Sequence, residues 1–216
     1  MNVRVLGWGA EKTGAEKTGA ARSRPIAWLV RSLKIVGAVL GLTVLSVGGY
    51  WGYLQYEGNF HTVAKGILYR SAQLSNSELE AAVERYDIKS VLNLRGTNVG
   101  SPWYDDEIAE SRALGLVHYD YGISTKRFVT TRQITDILAI LRNAPKPLLI
   151  HCMAGADRSG LVAALYRYAI AGASAQDADG QLSLLYGHFP YLTSPSVAMD
   201  NSFWAYVHAA PRLSAR

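Results

Sequence analysis

Apolar and polar positions along residues 57–216 switch repeatedly between two periods. Short apolar runs read as strands: Gly66 to Arg70, Lys89 to Leu94, Leu116 to Tyr119 and Leu148 to Ile150. Between them lie helical patterns. Ser75-Asn76-Ser77-Glu78 is a capping cluster that opens a helix through about Tyr86. Pro102 suits a first-turn position, and Gly115 suits the end of the same helix. Ile134, Ile137, Leu138 and Leu141 share one helix face, which stops at Asn143 and the Pro145-Lys146-Pro147 break. Further helices are predicted over Gly160–Ala171, Ser174–Tyr186 and Ser196–Ala209. Strands alternating with helices predict an α/β fold with a central, mostly parallel sheet flanked by helices.

The N-terminal quarter has a different pattern. Residues 10–19 repeat AEKTG without an apolar face, and 1–24 read as a disordered basic tail. Ile35 to Leu54 then runs twenty residues without a charge. At 1.5 Å per residue a helix of that length covers about 30 Å, the hydrocarbon thickness of a bilayer. Residues 25–56 are therefore expected to form one transmembrane helix, with Tyr50, Trp51, Tyr53 and Tyr56 as an aromatic belt. Arg22, Arg24, Arg31 and Lys34 precede the span, and only Lys65 and Glu57 follow closely. The positive-inside rule then places the N-terminus in the cytoplasm and residues 57–216 outside it, as in a single-pass protein of a bacterial inner membrane. A cleaved signal peptide fits less well, because the apolar run is too long and no A-x-A site follows.

Charge narrows the function. The net +5 of the 216 residues comes entirely from residues 1–56, which hold seven basic and two acidic residues. The remaining 15 basic and 15 acidic residues balance, leaving the folded part no electrostatic footprint for nucleic acid. The single cysteine, Cys152, excludes an internal disulfide and a CxxC metal site. No HExxH or paired-carboxylate spacing supports a metal, and no cofactor is expected.

The chemistry concentrates in His151-Cys152-Met153-Ala154-Gly155-Ala156-Asp157-Arg158-Ser159-Gly160, between an apolar strand and an apolar helix. A strand-to-helix turn aims unpaired backbone N–H groups at one point, in front of the helix's positive end. That suits phosphate. The same field favours thiolate at Cys152. Arg158 can fold over the loop and grip two phosphate oxygens, and Gly155 allows the tight turn.

This segment resembles the signature of the cysteine-dependent protein tyrosine phosphatase superfamily: His-Cys, five residues, Arg, Ser or Thr, Gly. Its Cys-x-x-Gly-x-Asp-Arg core is similar to the bacterial tyrosine/dual-specificity and lipid-phosphatase branch. Tyr69-Arg70-Ser71-Ala72-Gln73 and Leu92-Asn93-Leu94-Arg95-Gly96 also resemble segments of those proteins. The resemblance implies that Cys152 attacks phosphorus and forms a phosphocysteine that water hydrolyses. Residues 153–158 would bind the phosphate, Arg158 would stabilise its oxygens, Ser159 would help the sulfur leave, and His151 would support the loop.

An acid must protonate the leaving oxygen. Asp120, on a strand-end loop, matches the mobile acid of many relatives. Asp157, inside the loop, matches some lipid and triple-specificity phosphatases and is slightly favoured. The substrate is a phosphorylated protein or a phospholipid. Ala156 stands where phosphoinositide-directed relatives often carry Lys, which speaks against a polyphosphorylated headgroup. A non-catalytic phosphate-binding module and a rhodanese-like sulfur transferase are the other readings; the Arg-Ser-Gly ending fits phosphate better than the latter. Among the remaining polar residues, Arg95 is read as facing the cleft or as an exposed ion pair. Trp103-Tyr104-Asp105-Asp106-Glu107 is read as an acidic first helical turn, and His188 as a packing or capping residue. Tyr121, Phe128, Trp204 and Tyr206 are read as core or rim.

Overall fold

The computed structural model describes residues 23–213, so the AEKTG repeat and most of the tail expected over 1–24 lie outside the described residues. The chain divides after Gly48 into two compact units. Helix α1 (Ser23–Tyr56) supplies the first and runs on into the second. Its apolar side chains, such as Leu42 and Leu45, are exposed along residues 28–48. Thr43 and Ser46 hydroxyls donate to the carbonyls of Val39 and Leu42, so neither needs water. Ala27–Tyr56 is long and apolar enough to cross a membrane.

The second unit is an α/β layer structure. Strands β1 (His61–Ala64), β2 (Leu68–Ser71), β3 (Ser90–Asn93), β4 (Val117–Asp120) and β5 (Leu148–His151) form one sheet in the order β1-β2-β5-β3-β4. All neighbours are parallel except β1, an antiparallel edge strand that the sequence pattern did not single out. β2, β3 and β5 are buried throughout because both faces are covered, which is why they read as continuous runs instead of alternating ones. On one face Leu92, Leu148 and Ile150 pack with Ile134 and Ile137 of α4 (Thr131–Asn143), Leu161 of α5 (Asp157–Ala169) and Phe203 of α7 (Val197–Leu213). On the other, Tyr69, Val91 and Leu149 pack with Leu79 of α2 (Asn76–Tyr86) and with Ile88.

Local chemistry explains most boundaries. The Ser75 and Glu78 side chains cap α2 reciprocally, and Thr130 with Gln133 does the same for α4. α3 (Pro102–Ala113) starts on its proline. Three expectations need correction. α5 begins at Asp157, not Gly160, so Asp157, Arg158 and Ser159 occupy its first turn; Gly155, at φ +72°, has already completed the reversal. The single helix expected over 174–186 is instead α6 (Ala175–Asp179) followed by one 3₁₀ turn, Leu184–Tyr186. The Gln181 carbonyl between them turns aside to accept from Arg70, so no helix continues through it. Glu107 lies beyond the first turn of α3 and is buried, with only 6 % of its surface exposed.

Candidate active site

The parallel strands end together. Ser71, His151, Asn93 and Asp120 are in register across β2, β5, β3 and β4, at the carboxyl edge where open α/β sheets bind ligands. The chain leaving β5 is the segment from Cys152 to Ala156, and α5 follows at once.

Every carbonyl of residues 153–156 is held from outside. Gln73 N–H donates to Met153 O (3.2 Å). Gln55 Nε2 and Asn59 Nδ2 donate to Ala154 O (3.2 and 2.9 Å). Arg70 Nη2 donates to Gly155 O and Ala156 O (2.8 and 3.0 Å), while its Nη1 donates to Gln181 O (2.8 Å). By contrast, among the described residues the N–H groups of 153–159 donate to no protein acceptor. Carbonyls out and amides free is the arrangement of a cup for an anion, backed by the N-terminus of α5. The fit leaves no room for a larger residue: a Cβ on Gly155 would lie 2.6 Å from Ala72 N and 2.8 Å from Ser71 C.

Arg70 is fully buried, and burial lowers its pKa to about 10, against the opposing pull of Tyr186, Cys152 and Asp157. Its guanidinium also lies over the Tyr186 ring, 4.2 Å from the centroid. Cys152 is buried, its sulfur 3.3 Å from Ser159 Oγ. Arg158 Nη1 donates to Leu94 O at 3.2 Å, just past the end of β3, with the buried Nε unpaired among the described residues. Arg95 makes no ion pair with any described residue: it lies 3.3 Å from the Trp103 ring centroid and donates to Gln73 Oε1.

The two candidate acids differ. Asp120 is the last residue of β4, not part of a loop, and both its oxygens are engaged: Oδ1 accepts from Asn93 Nδ2 (2.8 Å) and Oδ2 from the Tyr104 hydroxyl (2.6 Å). Asp157 Oδ1 pairs with His188 Nδ1 at 2.6 Å, and among the described residues Oδ2 accepts no hydrogen bond. His188 is therefore more than a packing residue.

Behind the loop sits Glu107. His118 Nε2 (2.8 Å) and His151 Nε2 (3.1 Å) both donate to its Oε1, and Gln73 Nε2 donates to Oε2. Burial alone would raise the Glu107 pKa, but these donors outweigh it and hold the group below the usual carboxylate range. Stability drawn from this ionised state is therefore present above the unfolded carboxylate pKa and lost as pH falls. Glu107→Gln is expected to cost about 3 kcal/mol at pH 7. It should also flatten the acid limb of the melting temperature between pH 7 and 3; a variant that loses stability on acidification as steeply as the parent would contradict this.

Sequence reasoning groups Cys152, Arg158, Ser159 and the loop; the structure brings the Cys152 sulfur to Ser159 Oγ and sets Arg158 against Leu94 O. It missed Arg70, Gln55, Asn59 and Glu107 as supports of the loop. Only the Tyr69–Gln73 segment carried a signal, and that signal gave Arg70 no role. Cavity size gives no guide either: a cavity of about 630 Å³ lies between the end of α1 and α2, lined by Tyr53, Tyr56, Phe60 and Arg85 and by no residue of the loop.

A model described as the tyrosine phosphatase family matches residues 47–178. Among solved structures the chain is similar to TpbA of P. aeruginosa in complex with pTyr, at 22% identity and TM-score 0.52, over 69% of this chain and 91% of that one. It is similar to the core catalytic domain of the PP-IP phosphatase SIW14 from S. cerevisiae in complex with citrate, at 21% identity and TM-score 0.53, over 71% and 92%. PTPMT1 aligns at 12% identity and TM-score 0.53, over 71% and 99%. At such identities the likeness is one of fold. No curated protein matches the chain by sequence.

Proposed function

Because the chain belongs to the tyrosine phosphatase family, we propose that it hydrolyses phosphomonoesters through a cysteinyl-phosphate intermediate at Cys152. The observation that carries this reading is the run of unpaired amides over residues 153–159 directly after Cys152, whose sulfur lies 3.3 Å from Ser159 Oγ. The thiolate attacks phosphorus, the S–P bond forms and the bond to the leaving oxygen breaks. Arg158 exchanges its contact with Leu94 O for two phosphate oxygens, and the amides hold the equatorial charge. Asp157 gives the leaving oxygen its proton; with both Asp120 oxygens already engaged, the free Oδ2 of Asp157 favours it for this task. Water then attacks phosphorus, Asp157 takes back a proton, and the Ser159 hydroxyl hydrogen-bonds the departing sulfur. His151, bonded to Glu107, steadies the loop and takes no chemical step.

In the same reading, α1 anchors the enzyme in a membrane, N-terminus cytoplasmic and the catalytic unit on the other side, as in a bacterial inner membrane. The end of the helix is built into the catalytic unit: Leu54 is buried and Gln55 bonds the phosphate loop, so an anchor fits better than a leader that is cut away. The substrate is phosphotyrosine on a protein or a phosphorylated lipid. One observation favours lipid. Tyr50 donates to Leu185 O at 2.8 Å, and beside it Leu184 and Leu185 are exposed, as are Phe189 and Leu192 further along the same segment. Apolar residues level with the aromatic belt suit a bilayer interface.

The test is a panel offered to the full chain in detergent and in liposomes: phosphotyrosine peptides, phosphoserine peptides, and phosphomonoester lipids in mixed vesicles. Turnover of phosphotyrosine peptides or lipids supports the proposal. Tight binding of inorganic phosphate with no turnover of any substrate would make the chain a binding module instead.

A further inference from the structure

His188 is a buried titratable group beside the phosphate loop that the steps above leave unused. Its side chain is wholly buried between α5 and α7, and its two ring nitrogens face two carboxylates. Nδ1 lies 2.6 Å from Asp157 Oδ1 and Nε2 lies 2.9 Å from Asp200 Oδ2. Ionised Asp200 only accepts, and Asp157 Oδ1 accepts whether Oδ2 still carries the acid's proton or has given it up, so both ring nitrogens donate and the ring is the imidazolium. Asp179 of α6 adds negative charge nearby, and Arg70 of β2 adds positive charge on the Asp157 side. Burial by itself would strip the ring of its proton, yet the bonds to Asp157 and Asp200 raise its pKa to about 9.

A buried cation locked to the first residue of α5 can act as more than a staple between two helices. Asp157 becomes a carboxylate at the moment it yields its proton to the leaving oxygen. A positive ring 2.6 Å from Oδ1 stabilises that new charge and fixes the carboxyl with Oδ2 left free for the leaving oxygen. We infer that His188, oriented and kept charged by Asp200, is a positioning residue for the acid step, holding Asp157 in register with the leaving oxygen. The inference rests on the proposed function, in which Asp157 is the acid.

The measurement is hydrolysis of phenyl phosphate, a poor leaving group, and 2,4-dinitrophenyl phosphate, a good one, by the full chain and by Asp157→Asn, His188→Asn, Asp200→Asn and the Asp157→Asn/His188→Asn double variant. In His188→Asn the introduced amide can still donate one uncharged bond toward Asp157, so the contact survives and the charge does not. Loss of His188 is expected to slow phenyl phosphate by about 10²-fold and the dinitrophenyl ester by no more than about threefold, since general acid catalysis contributes about 10²–10⁴-fold. The double variant should be no slower than Asp157→Asn alone, because both remove one function. Asp200→Asn, which leaves the cup untouched, removes a bond that raises the His188 pKa and should move the alkaline limb of the phenyl phosphate profile to lower pH.

Equal slowing of both esters by His188→Asn, additive with Asp157→Asn, would reduce His188 to a structural staple and overturn the inference while leaving the proposed function standing. If Asp157→Asn itself slows both esters alike, Asp157 is not the acid, and the proposed proton path falls together with the inference. Should His188→Asn not fold, the Asp200→Asn profile decides alone: an unmoved alkaline limb overturns the inference.

Discussion

Cys152→Ser is expected to lower turnover of any phosphomonoester by at least about 10⁴-fold, a loss typical of removing a covalent nucleophile. A thiol, with a free pKa of about 8.5, supplies thiolate near neutrality, whereas a serine hydroxyl ionises far too weakly to replace it. The cup itself survives the exchange. Its amides are aimed by Arg70, Asn59, Gln55 and Gln73, none of which touches the sulfur side chain. Inorganic phosphate should therefore bind the variant about as well as the parent, and calorimetry on both would show it. Stability should change by about 1 kcal/mol or less, because Ser159 can hydrogen-bond either atom. Undiminished turnover would remove the cysteinyl-phosphate mechanism.

Arg70→Met is expected to produce the largest loss of stability. It leaves the carbonyls of Gly155 and Gln181 without their donor, and that of Ala156 with only the Gly160 N–H, in a site closed to water. Each abandoned buried acceptor costs about 1–3 kcal/mol, and partial relaxation brings the sum to about 3–5 kcal/mol. Met fills much of the same volume, so the loss reports the hydrogen bonds more than a cavity. With the carbonyl of 155 free to turn and that of 156 held by Gly160 alone, the amides lose their common aim and phosphate affinity should fall with stability. Arg70→Lys should be intermediate, since one ammonium cannot span carbonyls from two segments as the planar fork does. Denaturant unfolding and phosphate titration are the measurements. A variant as stable as the parent would show that the loop holds its shape without the clamp.

How much of this was legible in the sequence follows from distance along the chain. Leu148–Gly160 could be read because strand, cup, thiol and cation are contiguous, and each leaves a local pattern. Glu107 could not: from Trp103 to Glu107 the sequence shows an acidic helix start, and nothing local reveals His151, 44 residues away. His188 hides in the same way, 31 residues from Asp157 and in an irregular stretch where periodicity carries no information. Arg70 gave a misleading cue, since a charged residue in a short apolar run reads as a strand end, while the structure buries it completely. Asp120 is expected on a loop beyond its strand but is the last residue of β4, and the partners that hold it, Asn93 and Tyr104, come from β3 and α3.

The cysteine inventory also bears on how the enzyme would survive oxidants. Peroxide acting on a nucleophilic Cys152 would give a sulfenic acid, which many enzymes protect by closing a disulfide with a neighbouring cysteine. This chain has no second cysteine to resolve it. Rescue must come from a neighbouring backbone nitrogen, as a cyclic sulfenamide, or from a small thiol in the surrounding medium. The reducing power of the compartment would therefore set how long the activity lasts.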